Sequence, residues 1–376
     1  MSNTNIANNV TTNNKQGKVA QKKYKPITYV ETCAGYGTTR MALNNVAKRL
    51  GLVFKCIAIS EKDDKKVRAY EQIHGKVENL GDFTKIDWSQ LIFLFLSLTF
   101  PCKSVSKANV SMQKGFEEGA NQKSSIVWKI RNLFAQMPVK PKMIFFENVD
   151  SLLNKKNKST FDKLVSYLES EGYFVNYKTL KASDYGVPQT RNRVYIFATY
   201  GFPVDFDWPE PKPLEFEFRD ILDEDYTPDR IITDKAKDGF IKRAIERGFA
   251  FRVHNPKATR TAFTITCSDG GRNSDNFLFV EDVSEDEHIS LGKDGKITGN
   301  VDLETISKSK IRKITSKEAL RLMGIPEEYW TAFFDNFSQR QIVEMLGDGI
   351  VLPVLEEILY QYFKKLMEDG RLELED

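Results

Sequence analysis

Residues 27–50, ITYVETCAGYGTTRMALNNVAKRL, decide how the chain is read. ITYVET is rich in β-branched and aromatic residues and predicts a strand. AGYGTT is a glycine loop, and RMALNNVAKRL has helical spacing closed by Gly51. A strand running through glycines into a helix lets backbone amides approach a ligand at the helix N-terminus. Gly35-Tyr36-Gly37 lacks the third glycine of the dinucleotide pattern, so by itself the loop also reads as an ordinary tight turn.

The same alternation continues outward. FKCIAIS (54–60) is a second strand ending at Glu61, an acid placed to take both ribose hydroxyls of an adenosine ligand. Gly81-Asp82-Phe83 precedes a third strand, IFLFLSL (92–98). A helix in SSIVWKIRNLFAQM, the strand MIFF (143–146), a helix over 160–171 and strands YFVNYKTL and VYIFATY follow. Continuous apolar strands separated by amphipathic helices predict an α/β fold with a parallel sheet covered on both faces. Ligands in such sheets bind beyond the carboxyl ends of the strands. Loop, acid and Gly-Asp-aromatic, in that order, point to an adenosine cofactor that is not phosphate-rich.

Four segments are expected. Residues 1–25 read as a disordered cationic tail, Asn-rich with Lys but no acid. Residues 26–200 form the catalytic and cofactor-binding domain. From 201 the proline-rich GFPVDFDWPEPKPLEF leads into short strand-like pieces, TAFTIT and NFLFV, so 201–310 reads as a smaller, irregular, mostly β domain. Residues 311–376 return to helical patterning.

Of 376 residues, 41% are hydrophobic, enough for a sizeable core. The longest apolar run, around 91–102, falls short of the ~18 residues of a membrane span. Cys33, Cys56, Cys102 and Cys267 are scattered with no CxxC pair, which argues against a structural zinc or a disulfide scaffold. The N-terminus lacks the apolar core of a signal peptide. A reduced, cytoplasmic protein without a metal is the expectation.

Net charge is only +3, from 55 basic and 52 acidic residues, so its distribution matters more than its sum. Residues 205–229 hold ten acids and two bases, whereas 230–273 hold ten bases and four acids. A polyanion would face the second band, through Arg252, Lys257, Arg260 and Arg272, because phosphate contact depends on Lys and Arg displacing counterions.

LTFPCKS places Pro101-Cys102 just past the third strand. Cys102 by itself reads as a small core filler or as a nucleophile presented beyond the sheet. Glu147 ends the otherwise apolar MIFF strand, where an acid is costly unless it opens on a cleft, is paired, or stays protonated. It would project from the same sheet edge as Cys102, and a thiol beside a proton-donating acid suits covalent addition. Arg191 and Arg193 alternate before VYIFA and point to one side, either solvated or clamping an anion or carbonyl.

In this order the segments resemble the DNA cytosine methyltransferases that act on ring carbon 5. ETCAGYGTTRMAL resembles the family's first motif and FPCKSVS its catalytic motif, followed by the loop SMQKGFEEGANQKSSIVW. Glu147-Asn148-Val149 resembles the Glu-Asn-Val motif and QTRNRV the paired-arginine motif. IRKITSKEALRLMGIPEEY and GDGIVLPVLEEI resemble the ninth and tenth motifs. The resemblance covers roughly 27–200 and 311–360.

It implies a Rossmann-like S-adenosylmethionine-dependent methyltransferase domain with a target-recognition domain in 201–310. Cys102 would add to cytosine carbon 6, Glu147 would protonate the ring nitrogen, and Arg193, supported by Arg191, would hold the carbonyl oxygen. Ala34, Gly35, Tyr36 and Gly37 would line the methionine end, Glu61 and Lys62 the ribose side, and Asp82 and Phe83 the adenine; Pro101 and Asp348 complete the cofactor set. Lys103, Ser106 and Lys123 of the catalytic loop would meet DNA. The base must leave the duplex. The implied partners are double-stranded DNA and a cognate restriction endonuclease, with the enzyme a monomer.

The sequence departs from the family at Cys33 (usually aromatic), Lys103 (Gln), Lys123 (Arg) and Gly347-Asp348-Gly349 (Gly-Asn-Ser). An added carboxylate at 348, beside that of the cofactor, predicts weaker cofactor binding. A catalytically impaired DNA-binding homologue and a tRNA cytosine-5 methyltransferase are the alternative readings.

Overall fold

The computed structural model describes residues 23–99, 126–249, 251–269, 275–281 and 283–375. Its first unit is the one the opening stretch predicts. β1 (Ile27–Thr32) is buried almost throughout and leads into α1 (Thr38–Leu50). Gly37 at the helix N-cap has φ 88°, and Gly51 ends the helix at φ 67°, its N–H bonding to Ala47 O. Only glycine adopts these left-handed conformations without strain. Met41, Ala42, Leu43 and Val46 form the buried stripe of α1.

β2 (Phe54–Ser60), α2 (Asp64–His74) and β3 (Glu78–Asn79) follow, then β4 (Phe95–Leu98), α3 (Ile126–Phe134), β5 (Met143–Val149), α4 (Lys158–Ser170), β6 (Tyr173–Lys181) and β7 (Asn192–Tyr200). They form a seven-stranded sheet ordered β3-β2-β1-β4-β5-β7-β6. β1, β2, β3, β4 and β5 pair in parallel, but β7 runs antiparallel to both β5 and β6, so the expected all-parallel sheet is mixed. Residues 182–191 hold only a short 3-10 turn, Ala182–Asp184. A parallel return needs a crossover of a dozen or more residues. The third strand is also shorter than its apolar run: Ile92 lies outside β4 and is 66% exposed.

The second unit carries α5 (Asp234–Arg247), β8 (Phe251–His254), β9 (Phe277–Phe279), β10 (His288–Leu291), β11 (Ile297–Thr298), α6 (Leu303–Lys308) and β12 (Ile311–Lys313). Its five-stranded sheet is ordered β11-β10-β8-β9-β12. Phe240 of α5 packs on Phe251 and Phe277, ring centroids 6.0 and 5.0 Å away. α5 is an element the strand-dominated reading of this region lacks, although its signals are ordinary: Thr233 caps the Ala236 N–H, and Gly248 ends the helix at φ 70°. TAFTIT contributes only an isolated bridge, Gln189 to Ala262. β12 still pairs with β9, so this sheet extends past residue 310.

The chain then forms α7 (Ser316–Leu322), α8 (Trp330–Phe334), α9 (Gln339–Gly347) and α10 (Leu352–Glu368). α10 returns to the first sheet: Phe363 packs on Phe54 and Phe95, centroids 4.8 and 5.8 Å away, and Tyr362 stacks on Phe197 at 4.3 Å. Of the tail expected through residue 25, Tyr24 bridges to Leu374, and the Lys25 N–H bonds to Glu373 O.

Candidate active site

Beyond the carboxyl ends of β1, β2, β4 and β5 lies a cavity of about 330 Å³. Its floor is the loop between β1 and α1. Cys33, Gly35 and Gly37 all have positive φ (50°, 58° and 88°). Cys33, where the family has an aromatic, is the one of the three for which that geometry strains a side chain. Burial, reinforced by Glu61, pushes its thiol up to about 12, so it stays protonated at neutral pH.

Glu61 at the end of β2 is 8% exposed and serves as a hub. Its Oε2 accepts the Gly35 N–H at 3.0 Å, and its Oε1 accepts those of Lys62 (2.9 Å) and Asp63 (3.0 Å). Asn79 holds it from behind: Oδ1 accepts the N–H groups of Glu61 (3.0 Å) and Gly81 (3.1 Å), and Nδ2 donates to Glu61 O (3.0 Å). Asn79 thereby sets the acid and the Gly81-Asp82-Phe83 loop at a fixed spacing. Asp82 accepts the Thr84 N–H and hydroxyl, and the backbone bond above all holds its carboxyl below the usual range.

On the opposite wall stands Glu147, largely but not fully buried, and burial raises its carboxyl above the usual range, with Arg193 and Arg191 opposing. Arg193 Nε lies 3.1 Å from Glu147 Oε1, an oxygen that has no well-directed hydrogen bond among the described residues. Both residues line the cavity. The sheet register brings them together, since β5 and β7 pair Val149 with Arg193.

Arg191 lines the same cavity and also anchors the turn beside it. Its guanidinium donates to the carbonyls of Ile265 (2.9 Å), Gly347 (3.3–3.4 Å) and Gly349 (2.5 Å). Gln189, for which sequence reasoning gave no role, completes this junction. Its Oε1 accepts the Ile265 N–H at 3.0 Å, and its Nε2 donates to Leu322 O at 2.7 Å. The turn 347–349 is wedged tightly. A Cβ on Gly347 would sit 2.1 Å from the Thr266 backbone, and one on Gly349 would sit 2.3 Å from Tyr36 Oη. Asp348 between them reaches the cavity and pairs with Lys66 at 2.8 Å.

Pro101, Cys102, Lys103, Ser106, Lys123 and Arg272 lie outside the described residues. In the second unit Arg252 pairs with Asp275 at 3.3 Å and lies over the Phe263 ring at 4.6 Å. Lys257 is exposed. The acidic band 205–229 does not stand apart from the basic one: Arg260 pairs with Glu217 at 2.7 Å, and Arg230 with Asp229 at 3.0 Å. Like signs cluster in sequence, whereas folding brings opposite signs together. Among the described residues no group of His, Cys, Asp and Glu is placed to hold a metal, and no helix is long and apolar enough to cross a membrane.

A Rossmann-like sheet thus carries one acid at the end of β2 and a second across the same cavity. Residues 27–364 match the family model of the C-5 cytosine-specific DNA methylases, and the chain belongs to that family. It is a DNA (cytosine-5)-methyltransferase with S-adenosylmethionine as methyl donor. The type II methyltransferase M.NlaX of Neisseria lactamica is 28% identical over 342 residues, covering 88% of this chain and 95% of that protein. Two solved structures share the fold at 16% identity: Entamoeba histolytica EhMeth (TM-score 0.68) and S. pombe Dnmt2 (TM-score 0.64). Each covers 91% of this chain and 99% of its own.

Proposed function

We propose that the chain methylates carbon 5 of a cytosine flipped out of a specific double-stranded DNA sequence, through a covalent adduct with Cys102. The observation that carries this reading is Glu147, an acid whose pKa burial raises, paired with Arg193 and facing the same cavity as Glu61 and Asp82. Cytosine carbon 5 becomes nucleophilic only after addition at carbon 6. The Cys102 thiolate forms the sulfur–carbon bond, while Glu147 gives its proton to the ring nitrogen and so neutralises the developing charge. Arg193 holds the carbonyl oxygen and keeps Glu147 oriented. S-adenosylmethionine supplies the methyl group to carbon 5; loss of the carbon-5 proton to water, with the ring-nitrogen proton returning to Glu147, then expels the thiolate and restores the aromatic ring.

The cavity suits that cofactor chemically. Glu61, with Lys62 beside it, would accept the ribose hydroxyls; Asp82 and Phe83 would hold the adenine, and Ala34, Gly35, Tyr36 and Gly37 the methionine end, all of them lining the cavity except Gly37, which closes the loop. The buried Tyr36 hydroxyl has no partner among the described residues, as expected of a group awaiting a ligand. A partner restriction endonuclease follows from the type II relatives.

Duplex DNA containing 5-fluorocytosine, incubated with S-adenosylmethionine, tests the reading, because fluorine blocks the final elimination. A denaturation-stable protein–DNA adduct that Cys102→Ala abolishes is the expected result. No adduct with DNA, or methyl transfer to tRNA alone, would overturn it.

A further inference from the structure

We propose that Lys66 and Asp348 together form the subsite for the amino-acid head of S-adenosylmethionine, a reading that rests on the cofactor assignment above. The two residues are 282 positions apart, on the first turn of α2 and on the turn between α9 and α10. Lys66 Nζ nevertheless donates to Asp348 Oδ2 at 2.8 Å, and both side chains line the cavity. The pair stands next to the unpartnered Tyr36 hydroxyl, since Gly349 packs directly on that oxygen. Glu61 and Asp82 lie on the adenosine side, which leaves this wall for the rest of the cofactor.

The head group is a zwitterion, with an ammonium and a carboxylate on one carbon. A solitary Asp348 would repel the carboxylate, and a solitary lysine would repel the ammonium. A pair gives each charge an opposite partner. After bonding Asp348, the Lys66 ammonium retains two N–H donors for a carboxylate, and Asp348 retains an oxygen for an ammonium. Burial works against the charge on Lys66, but Asp348, together with Glu61 and Asp63, holds its pKa above the ordinary lysine value, so the cation persists. The carboxylate that sequence reasoning set against cofactor binding is thereby recruited to it. Asp348 and Lys66 act as one unit, and each is harmful without the other.

The test is calorimetric binding of two probes to the full-length chain: S-adenosylhomocysteine, which has the amino-acid head, and 5′-methylthioadenosine, which lacks it. Lys66→Ala should weaken S-adenosylhomocysteine about tenfold or more and change 5′-methylthioadenosine by less than about twofold. Lys66→Ala/Asp348→Asn should recover about half of that loss on a logarithmic scale, because the unpaired carboxylate is gone. A purely structural ion pair predicts no such recovery. Affinity for 5′-methylthioadenosine reports that each variant is folded. Parallel loss of both probes in Lys66→Ala and in Lys66→Gln would overturn the proposal, as would no change in either. If the wild-type chain binds neither probe, the cofactor assignment itself fails, and the proposal with it.

Discussion

Two buried glutamates, each facing an arginine, separate structural from chemical use of charge in this molecule. At the junction between β12 and α7, Glu318 is fully buried and bidentate with Arg312 at 2.7 and 3.0 Å. Its oxygens also accept the Asp223 N–H (2.9 Å) and the Thr315 N–H (2.8 Å). Every lone-pair direction is filled, so this carboxylate has nothing left to offer a ligand. Glu147 meets Arg193 through one nitrogen and opens on a cavity with acceptor capacity unused. A saturated acid fixes a fold; an unsaturated one, raised by burial, can give up a proton.

Replacing each glutamate should break the comparison in opposite directions. Glu318→Ala leaves Arg312 buried and unpaired and should cost about 3–5 kcal/mol of stability, read by denaturant titration. Glu147→Gln removes the proton donor but nearly keeps the shape. It should leave the melting temperature within a few degrees of wild type while lowering single-turnover methylation by roughly 10²–10⁴-fold. A stability loss as large as that of Glu318→Ala would show that Glu147 is a structural fixture as well.

A third buried acid sharpens the point through pH. Glu31 on β1 is 2% exposed and is raised from 4.5 to about 8, by burial first, against hydrogen bonds from Thr39 and Tyr70. The folded state therefore holds this proton more tightly than the unfolded chain. Its stabilising contribution is complete below pH 4.5 and is lost as pH rises through 8. Thermal melts should show wild-type stability falling across that window relative to Glu31→Gln, which has no proton to lose. Parallel profiles would count against the assignment.

The smallest effects belong to exposed pairs. Arg260 and Glu217 neutralise each other at the surface, and such pairs contribute little to stability. If Arg252 and Lys257 each neutralise one DNA phosphate, the double alanine variant should reduce the slope of log affinity against log salt by about 1.8. Arg260→Ala should change it by at most about 0.9, the share of one phosphate. Equal slopes for all variants would place the DNA on another face.

Much of the catalytic half was legible because its signals are local. A glycine loop, an acid at a strand end and an acid closing MIFF each announce themselves within a few residues. Lys66, Asn79 and Gln189 were not legible as site residues, since their roles exist only once distant segments meet. Gln189 joins Ile265 to Leu322, and Lys66 answers a charge 282 positions away. The direction of β7 was hidden for another reason: an apolar strand buried on both faces reads the same whichever way it runs. The second unit was misjudged where a weakly apolar helix, α5, sat inside a charge-rich stretch with ordinary caps at both ends.

The turn 347–349 has a consequence for how this enzyme can change over generations. The Thr266–Cys267 backbone closes on Gly347 and the Tyr36 hydroxyl on Gly349, so a side chain at either glycine must displace its neighbour, backbone in the first case and a phenol tip in the second. The middle position is the one of the three whose side chain already reaches the cavity. If the Lys66–Asp348 pair holds the cofactor's amino-acid head as proposed, substitutions at 348 would tune affinity and compensation on α2 would reset it, while Gly347 stays fixed against the backbone it packs on.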